Sequence, residues 1–255
     1  MLIGKTGSGK STLGNAILGK LRFNTEGNSM ESTTRSCRTG SAEIGDKTIV
    51  ILDTPGVMET KEDEEEVMKE VFKGAISLKS GPHVFLLVIR ADVKFTAEER
   101  EAVEIFSSVF GEELYNYLIV VFTHSSACNT GIDNCILKLP ESFQQCKEYC
   151  IAIETGGKSQ QVKKEVQQLL EVVEKVVQKN GGKCYPVETI KEIEKRYLTS
   201  IEDNRGMRAM IKELYKQAAD AMFNKAADAA EGFFGKVAGL LAALKGKISN
   251  KSGSK

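Results

Sequence analysis

Three apolar runs dominate the hydrophobic pattern: Ile49-Val50-Ile51-Leu52, Val84-Phe85-Leu86-Leu87-Val88-Ile89 and Leu118-Ile119-Val120-Val121-Phe122. Short runs without polar alternation are the mark of strands covered on both faces, as in a largely parallel sheet. Between and around them the period becomes helical, over 10–18, 96–110 and 159–178. In the last of these, Val162, Val166, Leu169, Leu170, Val173 and Val177 share one face. Residues 39–44 and 48–53 flank the turn-forming pair Gly45-Asp46, which predicts a hairpin. A weaker strand is expected at 150–153. The acidic run from Glu59 to Glu66 opens a helix expected to reach Ser80, its carboxylates suited to a helix N-terminus. The predicted fold class is therefore α/β: a mostly parallel six-stranded sheet with helices on both faces.

After this alternation the pattern turns wholly helical. We divide the chain into an α/β domain at 1–182 and a helical extension at 183–255, with one long charged helix over 188–221. Residues 24–38 carry no apolar period and read as an exposed loop, and loops of that length in compact domains are usually functional. Only Met1-Leu2-Ile3 precede a glycine-rich segment, whereas an average strand has about five to six residues. That strand should lie in the middle of the sheet, so we expect the chain as written to begin inside it.

Composition narrows the picture modestly. Hydrophobic residues at 41% and charged residues at 27% exclude wholesale disorder. With 35 basic and 35 acidic side chains there is no global field to recruit a polyanion, so no nucleic-acid partner is expected. The six cysteines show neither CxxC zinc spacing nor the density of a secreted disulfide scaffold, which points to a reducing cytosol. No signal peptide and no long apolar span are evident.

The chemistry concentrates at Gly4-Lys5-Thr6-Gly7-Ser8-Gly9-Lys10-Ser11-Thr12. A ring of backbone N–H groups at a helix N-terminus is a receptor for phosphate, and glycines permit its close approach. Lys10 places an ammonium on the β/γ-phosphates, and the Ser11 hydroxyl is a Mg²⁺ ligand. A chance glycine turn is the alternative, but such a pattern arises in about one random chain in a hundred of this length. At the end of a buried strand, Asp53-Thr54-Pro55-Gly56 supplies a carboxylate for Mg²⁺ and an N–H, from Gly56, to sense a γ-phosphate. Thr34, in the long polar loop, is the third candidate metal ligand.

These segments resemble the GIMAP family, the GTPases of immunity-associated proteins, which are related to septins and to the chloroplast Toc import GTPases. The resemblance rests on Gly4 to Ser11, Ser32-Thr33-Thr34-Arg35-Ser36-Cys37, Asp53-Thr54-Pro55-Gly56 and Gly81-Pro82-His83-Val84-Phe85-Leu86-Leu87-Val88 leading to Phe95-Thr96. It covers about residues 1–197. It implies a P-loop GTPase-type domain binding GTP or GDP with Mg²⁺, slow in hydrolysis, and forming a homodimer or oligomer in the triphosphate state. Val57 follows the Asp-x-x-Gly segment, where Ras-like enzymes place a water-orienting glutamine, and an aliphatic side chain cannot orient a nucleophile. Slow or partner-completed turnover is expected.

Base recognition departs from the family pattern. In Phe122-Thr123-His124-Ser125-Ser126-Ala127-Cys128, Ala127 stands where the resemblance calls for an acid. We take His124, Ser126 and Glu154 as candidate base contacts, Glu154 aligning with the family's Asn or Asp position. An ATP-using P-loop protein and a nucleotide-bound scaffold that never hydrolyses remain the alternatives. Residues 226–248 form an amphipathic pattern of aromatics, leucines and lysines. It suits packing on the domain or on a second copy, or a peripheral membrane surface.

Overall fold

The computed structural model describes residues 1–25, 36–57, 61–93, 97–127, 131–137, 139–154 and 159–202. Thr34, the 226–248 segment and the far half of the 188–221 helix lie outside the described residues. The chain divides into two units, 1–207 and 208–255, and the second falls wholly outside the described residues.

The strands are β1 (Leu2–Ile3), β2 (Arg38–Ile44), β3 (Lys47–Asp53), β4 (Phe85–Arg90), β5 (Leu118–Thr123) and β6 (Cys150–Ile153). They form one sheet in the order β2-β3-β1-β4-β5-β6. The β2–β3 pair is antiparallel and closes at Gly45-Asp46, as the turn chemistry predicts, and all other neighbours are parallel. Although only two residues long, β1 sits between β3 and β4. It pairs Leu2 with Asp53 and Leu86, and the Met1 carbonyl accepts from Leu86 N–H at 2.8 Å.

Helices cover both faces. Against one face lie α1 (Lys10–Leu18) and α5 (Ser159–Lys179), where Leu13, Ile17, Val166, Leu169 and Val176 pack on Leu2, Leu86, Val88, Ile119 and Val121. The α5 stripe follows the predicted face, Val162, Leu170, Val173 and Val177 packing partly buried against the core, and Val176 joins it fully buried. The other face carries α2 (Lys61–Ser77), α3 (Ala97–Phe110) and α6 (Val187–Glu202). One short helix, α4 (Gly131–Leu137), and 3-10 turns at Glu112–Tyr117, Ser125–Ala127 and Glu141–Tyr149 have no counterpart in the hydrophobic pattern.

An aromatic cluster ties the segment after residue 182 to the sheet. Tyr185 meets Phe85 edge-on at 5.4 Å between centroids, and Tyr197 meets Phe72 of α2 at 5.5 Å. Tyr185 also donates its hydroxyl to the Phe110 carbonyl at 2.7 Å. Burial of that phenol pushes its ionisation up from the usual range. Tyr185 and Tyr197 are fully buried.

Gly81 explains part of the Gly-Pro-His block. Its φ is +87°, and a Cβ there would stand 2.0 Å from the Tyr185 carbonyl oxygen. The neighbouring Pro82 carbonyl accepts from Tyr185 N–H at 2.9 Å. Gly81→Ala should therefore destabilise the fold by at least about 1–3 kcal/mol from backbone strain alone, read as a lowered urea midpoint. An unchanged midpoint would show that the 185 segment does not need this approach.

Candidate functional site

The glycine loop leaves the C-terminal end of β1 and enters α1, so it opens at the sheet edge where ligands of parallel α/β folds bind. Gly9 is the N-cap of α1, with φ 96° and no side-chain cap, and no acidic residue lies in the first turn. Leu13 N–H makes the first helical bond, to the Gly9 carbonyl at 2.8 Å. The amides of Lys10, Ser11 and Thr12 therefore have no intrahelical acceptor, and no acidic residue of the helix's own first turn sits on the positive end of the dipole. This arrangement suits an anion.

Lys10 folds back across the loop and is buried; its Nζ donates to the carbonyls of Gly4 at 3.1 Å and Lys5 at 2.9 Å. The Ser11 hydroxyl donates to Asp53 Oδ2 at 2.7 Å. Asp53 is 1% exposed. Burial raises its pKa, opposed by the Ser11 hydrogen bond and by the charges of Lys10 and Arg38. Its other oxygen, Oδ1, is buried without a hydrogen-bond partner, as are Thr6 Oγ1 and Ser8 Oγ. A buried polar atom left unpaired costs about 1–3 kcal/mol, so the site is built around groups that a hydrated cation and phosphate oxygens would satisfy. Mg²⁺ typically takes one or two protein oxygens and shares the rest with phosphate and water. Ser11 and Asp53 fit that donor set.

The Asp53-Thr54-Pro55-Gly56 segment is sewn to the loop. Val57 N–H donates to the Gly4 carbonyl at 3.3 Å, and Thr6 N–H donates to the Val57 carbonyl at 3.4 Å. Both are long for N–H···O bonds. A Cβ on Gly56 would come within 2.3–2.5 Å of Thr6 atoms, so no other residue fits there without displacement. The Thr54 hydroxyl donates to the Leu2 carbonyl at 2.7 Å, anchoring the segment's root to β1. Val57 is fully buried.

At the far side of the loop, the Thr123 hydroxyl donates to the Ser8 carbonyl at 2.8 Å. This joins the end of β5 to the phosphate loop. His124 follows with φ 55°, the single non-glycine residue with positive φ among the described residues, and its Nδ1 is buried without a partner. Ser126 donates both its N–H, at 3.0 Å, and its hydroxyl, at 2.6 Å, to Glu154 Oε2. The three candidate base contacts thus fall together beyond the ends of β5 and β6, which pair Thr123 with Ile153.

Residues 1–204 match the AIG1 family. The chain belongs to that family. Immune-associated nucleotide-binding protein 13 of Arabidopsis thaliana is 29% identical over 82% of this chain, and immune-associated nucleotide-binding protein 3 of the same plant is 32% identical over 72%. The chain spans 65% and 58% of the length of those two relatives. Toc33 from Arabidopsis thaliana, solved with Mg²⁺ and GMPPNP, shares the fold: TM-score 0.53 over 68% of this chain and 83% of that one, at 19% identity.

Several positions escaped the sequence reading of this AIG1-family chain. Thr123 and Arg38 are site neighbours only through the sheet, Arg38 lying opposite Asp53 in the β2–β3 register. Buried Asn15 accepts from the N–H groups of Arg22 and Phe23 at 2.7 and 2.8 Å and donates to the Phe23 carbonyl, pinning the chain where the long polar loop begins. No local signal marks Arg38 or Asn15, and Thr123 stands in the quoted Phe122–Cys128 segment without being a candidate contact there. Thr123→Val should weaken nucleoside triphosphate binding about 2- to 10-fold in a calorimetric titration, the range expected from a net hydrogen bond of about 0.5–1.5 kcal/mol. Unchanged affinity would separate Thr123 from the loop's geometry.

Proposed function

We propose that this chain is a guanine-nucleotide switch: it binds GTP and GDP with Mg²⁺ at the glycine loop, and the Asp53–Gly56 segment reports which nucleotide is bound. The observation that carries this reading is the direct hydrogen bonding of Val57 to Gly4 and Thr6. Anything that seats a γ-phosphate beside Gly56 must alter these long bonds, so phosphate occupancy and the position of the segment leading into α2 are linked. Lys10 and the N-terminal amides of α1 bind the phosphates. Ser11 and Asp53 hold the metal, which supplies charge neutralisation between the phosphate oxygens, and Thr34 is the third candidate ligand.

The relatives' names support nucleotide binding as the shared trait. Toc33 has been solved with GDP and Mg²⁺ and with GMPPNP and Mg²⁺, and dimerization is important for the GTPase activity of that protein. We carry this over as nucleotide-controlled homodimerisation with slow or assembly-dependent hydrolysis. No helix among the described residues is long and apolar enough to cross a membrane. A peripheral attachment through 226–248 belongs to the same proposal, at the cytoplasmic surface of intracellular membranes.

Val57 also favours a second reading, a scaffold that keeps its nucleotide unhydrolysed, because a buried aliphatic side chain occupies the position next to Gly56. Single-turnover hydrolysis over a protein concentration series separates the two. A rate rising with dimer fraction supports the switch, and no turnover at any concentration supports the scaffold.

Lys10→Ala should lower GTP and GDP affinity about 10- to 100-fold, the loss of one charge-assisted contact of about 1.5–3 kcal/mol. Chelating Mg²⁺ should weaken GTP more than GDP, since the γ-phosphate adds charge at the metal. Calorimetric titration reads both, and binding indifferent to Lys10 and Mg²⁺ would overturn the proposal.

A further inference from the structure

Gly74 stands inside α2, where glycine is a poorer helix former than any residue except proline. The reason lies opposite it. A Cβ on Gly74 would stand 2.6 Å from Cys37 Sγ, 2.8 Å from Cys37 Cβ and 3.3 Å from Leu52 Cδ2. The backbone of α2 is therefore pressed onto the residue that precedes β2, closer than any side chain would allow.

Cys37 fills this seam and also bonds across it. Its thiol is free and half-buried, and it donates to the Glu70 carbonyl of α2 at 3.1 Å. Glu70 precedes Gly74 by about one helical turn, so the same stretch of α2 accepts the thiol's bond and makes room for its sulfur. The next residue works toward the metal end: Arg38 lies opposite Asp53 in the sheet register, and its charge acts on that carboxylate. Positions 37 and 38 thus link α2 on one side with Asp53 on the other.

The nucleotide enters through the same two elements. The segment after Asp53 is held to the glycine loop by the long bonds of Val57 to Gly4 and Thr6, and it leads toward α2. A γ-phosphate seated beside Gly56 alters those bonds, and α2 cannot shift without moving Glu70 and Gly74 against Cys37. Packed contacts of this kind switch between discrete arrangements rather than deform continuously.

We infer that the Cys37–Gly74 seam is a latch: it holds α2 on the start of β2 while no γ-phosphate is bound and opens when one is seated, which makes Cys37 a positioning residue for the choice between triphosphate and diphosphate. The inference rests on the switch reading above and adds the contact that opposes the triphosphate state. By linkage, whatever the latch contributes to the closed state is subtracted from triphosphate binding and not from diphosphate binding.

Two measurements on the full chain test it. Burial pushes the Cys37 thiol up to about 12, with the charges of Glu70 and Asp53 acting in the same direction. A closed latch therefore keeps the thiol protonated and slow to alkylate, and alkylation reads its opening. N-ethylmaleimide labelling of the wild type with Mg²⁺, resolved by peptide mass spectrometry, should be several-fold faster at Cys37 with a non-hydrolysable GTP analogue than with GDP. Fully buried Cys146 should stay slow with both, which shows that the fold remains closed. In competition against a fluorescent GDP, Cys37→Ala should raise GTP affinity relative to GDP about 2- to 10-fold, the size of one net hydrogen bond. Gly74→Ala, whose methyl cannot share the seam with the sulfur, should move the ratio in the same direction. Cys37→Ser keeps a donor for the Glu70 carbonyl and should stay closer to wild type. Equal labelling of Cys37 with both nucleotides bound, or a GTP to GDP ratio that Cys37→Ala leaves unchanged or lowers, overturns the latch with nucleotide binding still standing. Failure of both nucleotides to bind the wild type overturns the underlying reading as well.

Discussion

The hydrogen bond between the Ser11 hydroxyl and the buried Asp53 carboxylate holds together the parts that matter in this molecule. It joins the first turn of α1 to the end of β3, two elements far apart in sequence and adjacent because β1 lies between β3 and β4. Without that adjacency the glycine loop would be an ordinary turn, and Asp53 an expensive buried acid. With it, a helix N-terminus, an ammonium, a hydroxyl and a carboxylate converge at one edge of the sheet. Three buried oxygens there, on Thr6, Ser8 and Asp53, have no protein partner. A stable fold tolerates such groups where a ligand supplies the missing bonds.

The same adjacency couples the site to the rest of the chain. The segment after Asp53 bonds to the glycine loop through Val57 and leads toward α2, and α2 packs against α6 through Phe72 and Tyr197. On the other side Thr123 ties the loop to β5, whose neighbour β6 carries Glu154. The candidate phosphate, metal and base contacts thus follow the C-terminal ends of four strands of one sheet, β3, β1, β5 and β6.

How much of this could be read in advance depends on whether the information is local. The strands β3, β4 and β5 were legible because burial on both faces leaves continuous apolar runs, and the β2–β3 hairpin because Gly45-Asp46 suits its turn. The helix α5 was legible from one apolar stripe. The phosphate loop is a contiguous motif whose chemistry follows from its own residues. By contrast α4 and the 3-10 turns have no period long enough to detect. Thr123, Arg38 and Asn15 look like unremarkable polar residues until the sheet register and the return of the chain at Phe23 place them. Ser126 and Glu154 are 28 positions apart and meet only because β5 and β6 end together. Family resemblance pointed to them, and nothing in local pattern did. Thr34 and 226–248 stay as sequence-based candidates.

The most direct measurement is amide hydrogen exchange across residues 4–12 and 53–57, with Mg²⁺, in the presence of GDP and of a non-hydrolysable GTP analogue. Both nucleotides should protect 4–12, and the 53–57 segment should change its protection with the triphosphate alone. Equal exchange at 53–57 with both nucleotides would contradict a γ-phosphate sensor, and unprotected 4–12 would contradict the glycine loop as the binding site.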